Sequence, residues 1–305
     1  MFLFWVLFNL FVLVMLGLDL GVFHRRTHAI RFKEALAWSA FWVSLAGGFA
    51  VLLLVWQGQQ KALEFTTGYL IEESLSVDNL FVFLMLFRYF RVDPKYQHKV
   101  LFWGIIGALV ARGIFIASGV ALINRFHWII YVFGAFLIYT GFKMLKPMDS
   151  EIQPERNPVL RLARKYLRFT PEYDNGKFFT EQNGKRLATP LFLVLLAVET
   201  TDILFAVDSI PAILAITSDP FIVYTSNVFA ILGLRSLYFA LAGMMEVFRF
   251  LHYGLAAILV FIGGKMVGSN YVEIPIHVAL GTVAGVLAVS VVASLLFPAP
   301  RKSAS

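Results

Sequence analysis

Residues 198–212 read VETTDILFAVDSIPA and lie within an apolar segment near 189–217. A helix crosses a bilayer with about 20 residues, so this segment is long enough to span one. It nevertheless contains Glu199, Asp202 and Asp208. Carboxylates at membrane depth are costly, and they mark ion or proton paths. The stretch therefore predicts a membrane helix that carries a polar functional site.

A second stretch, residues 68–83, reads GYLIEESLSVDNLFVF and repeats this pattern. An alignment without gaps places Glu72 on Asp202, Asp78 on Asp208 and Asn79 on Ser209. Glu73 and Glu199 have no acidic equivalent in the other stretch. Matching acids in two apolar segments from corresponding halves of one chain are typical of a transporter site.

The composition is that of a polytopic membrane protein. The chain has 305 residues, of which 59% are hydrophobic and 15% charged, and its mean hydropathy is +0.76. A soluble domain carries roughly 25% charged residues. The chain contains no cysteine, which excludes disulfides, thiolate metal sites and cysteine nucleophiles. No phosphate-binding glycine-rich loop is found, and we do not expect an enzyme.

The sequence predicts an all-α polytopic membrane protein with about nine transmembrane helices, and the whole chain, 1–305, forms a single transmembrane domain. The expected spans lie near 2–22, 36–56, 64–87, 100–122, 128–146, 189–217, 221–245, 250–268 and 276–297. The first has no basic region before it and no small-residue cleavage site, so we expect a retained helix and not a signal peptide.

Basic residues indicate the orientation, because cytoplasmic loops are enriched in lysine and arginine. The residues placed on the cytoplasmic side are Arg25, Arg26, Arg31, Lys33, Arg88, Arg91, Lys95, Lys99, Lys146, Arg156, Arg161, Arg164, Lys165, Arg168, Lys177, Lys185, Arg186, Arg249, Arg301 and Lys302. Only Lys61 and Arg125 fall on the other side. This predicts an outside N-terminus and a cytoplasmic C-terminus in a bacterial inner membrane. Topology and anionic lipid account for the net charge of +7 without nucleic acid.

Basic residues inside the spans extend the repeat. LVARGIF around Arg112 matches LGLRSLYF around Arg235, and TGFKML with Lys143 matches IGGKMV with Lys265. Residues 64–146 and 189–268 are therefore predicted as two three-helix repeats, spans 3–5 and 6–8. Because three is odd, the repeats have opposite orientations in the membrane, the plan of many secondary transporters.

The roles of these four basic residues stay open at this stage. Lys143 and Lys265 lie near span ends, where a lysine can snorkel to the interface. Arg112 and Arg235 lie deeper and pair either with an acid or with freed backbone carbonyls. That pairing is either structural or part of transport.

The segment 147–188 is predicted to be a cytoplasmic loop with two parts. Residues 157–169, NPVLRLARKYLRF, combine an apolar and a basic face, as in an amphipathic helix on an anionic membrane surface. Residues 178–189, FFTEQNGKRLAT, carry an Asn-Gly turn between extended runs and predict a hairpin. Both parts are structural, or they contribute to gating.

Helix geometry constrains the acidic pairs. Residues six apart differ by about 240° around a straight helix. If the two acids of each pair share a site, Glu72 with Asp78 and Asp202 with Asp208, each helix must open locally. Pro211 gives a reason in the second repeat, because it cannot donate to the carbonyl of Val207.

Carboxylates, Asn79, Ser209 and backbone carbonyls are hard oxygen ligands. The histidines lie in loops or at span ends: His24, His28, His98, His127, His252 and His277. Such a site suits manganese, calcium or magnesium better than zinc or copper. The alternative is that the acids pair with Arg112 and Arg235 and only hold helices together. Two arginines cannot neutralise all six acids of these stretches.

Several motifs resemble the TerC family of integral membrane proteins, and its Alx-like members most of all. They are EESLSVDNLFVF, VETTDILFAVDSIPAILAIT, SNVFAILGLRSLYF, FIGGKM, GLDLGVFHRR and KEALAWSAFW. The resemblance covers nearly the whole chain. It implies a LysE-like transporter architecture and export of manganese as the substrate, without an organic cofactor. By the same resemblance, the metal ligands fall on Glu72, Asp78, Asp202 and Asp208.

Three hypotheses follow. The chain exports Mn²⁺ in exchange for protons, or it transports another ion such as calcium or a tellurium oxyanion. The third hypothesis is a membrane scaffold that does not transport, used for metal loading or insertion of exported proteins. An anion carrier should depend on Arg112 and Arg235, and a scaffold should depend on residues 147–188. The sequence does not indicate an oligomeric state.

Overall fold

A computed structural model describes residues 2–23, 32–145, 154–182, 184–242 and 250–297. Several basic residues used for the predicted orientation lie outside these ranges: Arg25, Arg26, Arg31, Lys146, Arg249, Arg301 and Lys302. His24 and His28 lie outside them as well. The described chain is predominantly helical, as its composition predicts.

The structure contains long helices at the positions of the predicted spans and a short helix between them. The helices are α1 (Phe2–Phe23), α2 (Phe32–Gln57), α3 (Gln59–Tyr89), α4 (Pro94–Arg125), α5 (Ile129–Met144), α6 (Pro158–Tyr166), α7 (Pro190–Leu214), α8 (Pro220–Ala242), α9 (Leu251–Val267) and α10 (Ile276–Leu296). A single 3-10 turn at Pro154–Arg156 precedes α6. The strands β1 (Phe179–Gln182) and β2 (Lys185–Ala188) form an antiparallel pair.

Five described helices are long and apolar enough to cross a membrane: α2, α4, α7, α8 and α10. Shorter apolar helices lie at Leu3–Leu18, Ile129–Met144 and Leu251–Val267. Helix α3 has 31 residues, yet it does not meet the same limits of length and apolar composition. Its centre carries Glu72, Glu73 and Asp78, which lower its apolar character.

The most extensive helix contacts join α3 to α8, α4 to α7 and α5 to α9. Helices α5 and α9 run antiparallel, since Gly134 meets Gly263 and Gly141 meets Ala256. Helices α3 and α8 run parallel, since Gly68 lies against Ser226 and the carboxylate of Glu73 lies near Gly233.

Contacts along α4 and α7 show that these two helices are also parallel. Gly104 lies against Val198 near the start of both helices, and Gly119 lies against Leu214 near their ends. The three pairings build a bundle in which α3 and α7 are also in contact. This arrangement brings the acidic centres of α3 and α7 into the interior.

The segment 154–189 packs onto the turn between α3 and α4. The hydroxyl of Tyr173 donates to the carbonyl of Phe90 at 2.6 Å, and burial raises the pKa of this hydroxyl, which keeps it protonated. Nζ of Lys99 donates to the carbonyl of Gly176 at 2.6 Å. Leu160 of α6 is 2% exposed and belongs to the main hydrophobic core. Leu160 therefore docks α6 against the bundle.

Candidate functional site

Arg112 lies at the centre of the bundle between the two acidic helices. Its guanidinium forms an ion pair with Glu72 of α3. It also binds Asp202 of α7 with two nitrogens, Nη2 at 3.2 Å from Oδ1 and Nε at 3.5 Å from Oδ2. The side chains are buried, at 2% exposure for Arg112, 0% for Glu72 and 3% for Asp202. The structure thus joins two acids that the repeat alignment made equivalent.

Two neutral groups complete the surroundings of this guanidinium. Nη1 of Arg112 donates to Oδ1 of Asn227 at 3.1 Å and to Oγ of Ser209 at 3.4 Å. Asn227 and Ser209 are also buried. Four helices, α3, α4, α7 and α8, therefore contribute to one polar centre.

The polar residues of α3 follow one face of the helix. Glu72, Ser76 and Asn79 are at positions i, i+4 and i+7, which share a face, and all three are buried. On α7, Asp202 and Ser209 have the same separation as Glu72 and Asn79. The polar centre is thus lined by corresponding faces of the two helices.

Both acidic helices remain continuous, so the local opening that a shared site for each acid pair would require does not occur in this structure. Helix α3 is unbroken from Gln59 to Tyr89, and α7 is unbroken from Pro190 to Leu214 with Pro211 inside it. Pro211 lies in the last turn of α7, where a missing N–H donor frees only one carbonyl and the helix ends soon after. As the straight-helix geometry requires, Asp78 and Asp208 do not join the centre around Arg112.

Asp78 instead faces the start of α9. Its Oδ2 lies 3.6 Å from Nδ1 of His252, and Nε2 of the same ring contacts the carbonyl of Met144 at the end of α5. The sequence placed His252 correctly at a span end but did not predict its contact with Asp78. A loop-proximal histidine gives no signal of its partner, which lies on a helix far away in the chain.

Asp208 faces α5. Its Oδ1 accepts a hydrogen bond from the hydroxyl of Thr140 at 3.3 Å, and the charge of Lys143 acts on the same carboxylate. Lys265, the repeat counterpart of Lys143, donates from Nζ to the carbonyl of Ala215 at 3.2 Å. Both lysines therefore act on α7 or its end, Lys143 through its charge and Lys265 through a hydrogen bond.

The remaining candidates lie around the centre. Glu73 is half-buried near Gly233 of α8, and its Oε2 has no hydrogen-bond partner among the described residues. The carboxylate of Glu199 fills the space beside Gly107 of α4. Arg235 is 9% exposed and lines a small cavity together with Asp202.

The structure therefore divides the predicted ligands into groups. Glu72 and Asp202 meet through Arg112 with Ser209 beside them, Asn79 lies on the same face of α3, and Asp78 and Asp208 have separate partners. In the part of the chain that the structure describes, no three acidic, histidine or cysteine side chains converge on a point that could hold a metal ion. Sequence reasoning missed Asn227, Thr140 and His252 as neighbours of the acids. Asn227 alone had a visible signal, as an amide within an apolar span.

Comparison with known proteins places this chain in a family. Residues 57–302 match the integral membrane protein TerC family. This chain belongs to the TerC family. With its several apolar helices, the TerC-family chain is a multi-pass integral membrane protein.

Relatives cover nearly the full length of the TerC-family chain. An uncharacterized membrane protein of Myxococcus xanthus is 56% identical over 292 residues, which are 96% of this chain and 92% of that protein. Alx of Escherichia coli (strain K12), named as a candidate membrane-bound redox modulator, is 51% identical over 292 residues, 93% of this chain and 91% of Alx. Alx of Salmonella typhi, which is named in the same way, is 50% identical over 297 residues, which are 94% of this chain and 92% of that protein. No solved structure matches this chain.

Proposed function

We propose that this chain exports manganese across the bacterial inner membrane in exchange for protons. Mn²⁺ is the transported substrate, and no organic cofactor takes part. The observation that carries the proposal is the pair of buried carboxylates, Glu72 and Asp202, at equivalent positions of α3 and α7. Buried acids in a membrane bundle are costly and mark transport paths. Manganese itself comes from the resemblance to the family.

The proposal includes two inverted repeats, α3–α5 and α7–α9, within nine membrane-crossing helices. In the two repeats, α3 corresponds to α7, α4 to α8 and α5 to α9. The α3–α8 contact therefore corresponds to the α7–α4 contact, and both of these pairs run parallel. The α5–α9 contact converts into itself and is antiparallel. Helices of inverted repeats would pack in this manner.

The contact between α5 and α9 supports the same symmetry in detail. In the alignment through TGFKML and IGGKMV, Gly141 corresponds to Gly263, and Gly134 corresponds to Ala256. A Cβ at Gly263 would lie 2.6 Å from the carbonyl oxygen of Gly134. A Cβ at Gly141 would lie 2.8 Å from the carbonyl oxygen of Ala256. The same close approach therefore occurs twice with the repeats exchanged.

A two-fold axis that relates the repeats would pass between Glu72 and Asp202, because the alignment makes them equivalent. The proposed site is therefore at the repeat interface, with Asn79 as a further oxygen ligand. Asp78 and Asp208 lie on other faces of α3 and α7, and their contribution to transport is tested separately.

An anion carrier is less well supported. Tellurium oxyanions would need a free positive charge, whereas the guanidinium of Arg112 already faces two carboxylates. Thiol-based redox chemistry is also absent from the chain itself, which contains no cysteine. Calcium and the scaffold role remain outcomes of the experiment below.

The proposed orientation has the N-terminus outside and the C-terminus in the cytoplasm. The packing of residues 154–189 onto the α3–α4 turn supports one common side for these two basic regions. Arg161, Arg164 and Lys165 of α6 would face anionic lipid headgroups at the cytoplasmic surface.

The experiment measures total cellular manganese by mass spectrometry in bacteria that lack their own exporters and are loaded with Mn²⁺. Strains carry empty vector, the wild-type chain or single variants at matched membrane levels. The variants remove one carboxylate charge each: Glu72→Gln, Asp78→Asn, Asp202→Asn and Asp208→Asn. Glu172→Gln makes the same change at an exposed loop carboxylate and serves as the control.

The proposal expects the wild type and Glu172→Gln to lower manganese, while Glu72→Gln and Asp202→Asn do not. If the wild type leaves manganese at the level of the empty vector, manganese export is wrong, and the assay is repeated with calcium and tellurite. If all four variants export normally, the acids are structural. If changes in 154–189 abolish the wild-type phenotype and the four carboxylate variants retain it, the scaffold role is favoured.

A further inference from the structure

The polar centre holds a charge of the protein's own where the proposed site would hold a metal. The guanidinium of Arg112 pairs with Glu72 and with both oxygens of Asp202. A planar guanidinium is matched to carboxylates and keeps its charge even when buried. Arg112 is 2% exposed and is among the largest fully buried side chains of the described chain. It therefore fills the space between the two acids.

A divalent cation and this guanidinium exclude one another at the same carboxylates. Hard cations need the oxygen lone pairs of their ligands. Here the guanidinium of Arg112 donates hydrogen bonds to both oxygens of Asp202 and places its Nη1 in an ion pair with Glu72. A guanidinium has no lone pair to offer a metal, and two positive groups a few ångströms apart repel strongly in a buried site. Metal binding by Glu72 and Asp202 therefore requires that Arg112 moves away.

The structure offers this side chain a neutral resting place. Nη1 of Arg112 already donates to Oδ1 of Asn227 at 3.1 Å and to Oγ of Ser209 at 3.4 Å. These acceptors carry no charge and lie on α8 and α7. They can retain the guanidinium after it has left the carboxylates, so the displacement does not bring an unpaired charge into lipid.

We propose that Arg112 is a tethered competitor of the transported cation, which neutralises Glu72 and Asp202 whenever the metal is absent and is displaced when the metal binds. This inference rests on the proposed transport function and adds a positioning residue to it. Its consequence for transport is release: the returning guanidinium weakens the hold of both carboxylates on the metal. It also keeps the two acids from remaining as a buried pair of like charges when the site carries no metal.

The test measures Mn²⁺ affinity and thermal stability of the full-length chain purified in detergent. Arg112→Gln removes the competing charge, and Arg112→Lys keeps a charge that cannot bind two carboxylates in the same planar fork. Arg235→Gln is the matched control, because it removes a buried arginine charge from the repeat counterpart, which lines a cavity beside Asp202.

Arg112→Gln should bind Mn²⁺ at least about tenfold more tightly than the wild type, since like-charge repulsion in a buried site is large. Arg112→Lys should bind Mn²⁺ at least about threefold more tightly than the wild type, because part of the competition for the carboxylates is lost. The melting temperature of Arg112→Gln should be low without metal and rise more steeply with added Mn²⁺ than that of the wild type. Export should fall in both variants, because release becomes slow.

Other results would overturn the inference. A purely structural arginine predicts that Arg112→Gln is destabilised and is not rescued by Mn²⁺. Unchanged affinity in Arg112→Lys would also contradict competition, and this variant keeps the test valid if Arg112→Gln does not fold. Equal tightening in Arg235→Gln would mean a general charge effect. If the wild type binds no Mn²⁺ and Glu72→Gln changes nothing, the proposed function itself fails.

Discussion

Gly263 of α9 lies so close to Gly134 of α5 that a Cβ at Gly263 would be 2.6 Å from the carbonyl oxygen of Gly134. The obstructing atom belongs to the backbone of another helix, so it cannot turn aside as a flexible side chain would. Small residues allow membrane helices to approach in this way, and the close approach supplies packing energy without a hydrophobic driving force. The glycine pair therefore fixes the distance between α5 and α9.

Gly263→Ala should destabilise the protein by about 1–3 kcal/mol, because a methyl group there forces the two helices apart. The neighbouring Gly264 has nothing within 4 Å of an added Cβ, so Gly264→Ala is the matched control. The measurement is thermal unfolding in detergent, and the loss of the monodisperse peak in size-exclusion chromatography reports the unfolded fraction. Similar melting temperatures for both variants would show that α5 and α9 do not pack through this face.

A second prediction concerns the network that joins the start of α3 to the turn between α7 and α8. The hydroxyl of Thr217 donates to Oε2 of the buried Glu64 at 2.6 Å. Nζ of Lys61 lies 2.9 Å from Glu64 and 2.9 Å from Asp219, so it bridges the two elements. Thr217→Val keeps the shape of the side chain but removes the donor, which leaves a buried carboxylate with one partner fewer.

We expect Thr217→Val to cost about 1–3 kcal/mol, the range for a buried polar group that loses a hydrogen bond. Thr282→Val is the control, because Thr282 is only partly buried and its hydroxyl donates within its own helix, to the carbonyl of Val278. Thermal unfolding of both variants decides the matter. If Thr217→Val and the control have the same melting temperature, the network does not contribute to stability.

Much of the fold could be predicted from the sequence because the apolar runs are long and separated by charged or turn residues. Each predicted span coincides with a helix, and the break at Ser218, Asp219 and Pro220 separates α7 from α8. The number of helices that cross the membrane is harder to predict. Helix α3 shows the reason, since the acids that make it a candidate site also reduce the apolar character by which a span is recognised.

The candidate site was predictable only in part. Equivalent positions in the repeat pointed to four acids, since a carboxylate in an apolar helix has few uses, but only Glu72 and Asp202 of these meet at one centre. What occupies the space between them depends on how α4 and α7 pack, and no local pattern encodes the partner of Arg112. The pairing of Asp78 with His252 depends in the same way on tertiary contacts between α3 and α9. Helix period, in contrast, correctly separates Asp78 from the face that Glu72 occupies.

The last prediction concerns the docking of α6, which holds the segment 154–189 against the bundle. Leu160 is 2% exposed within the main core, whereas Leu162 of the same helix is 57% exposed. Leu160→Ala should cost about 2–5 kcal/mol of docking energy, as for other buried leucines, while Leu162→Ala should stay within about 0.5 kcal/mol of the wild type. Hydrogen exchange of the purified protein measures the effect. Faster exchange over 158–189 in Leu160→Ala alone is the expected result, and equal exchange in both variants would mean that α6 does not dock through this face.

Cellular manganese measured with Leu160→Ala then tells whether a docked segment is needed for transport, because the acids of α3 and α7 are unchanged in this variant.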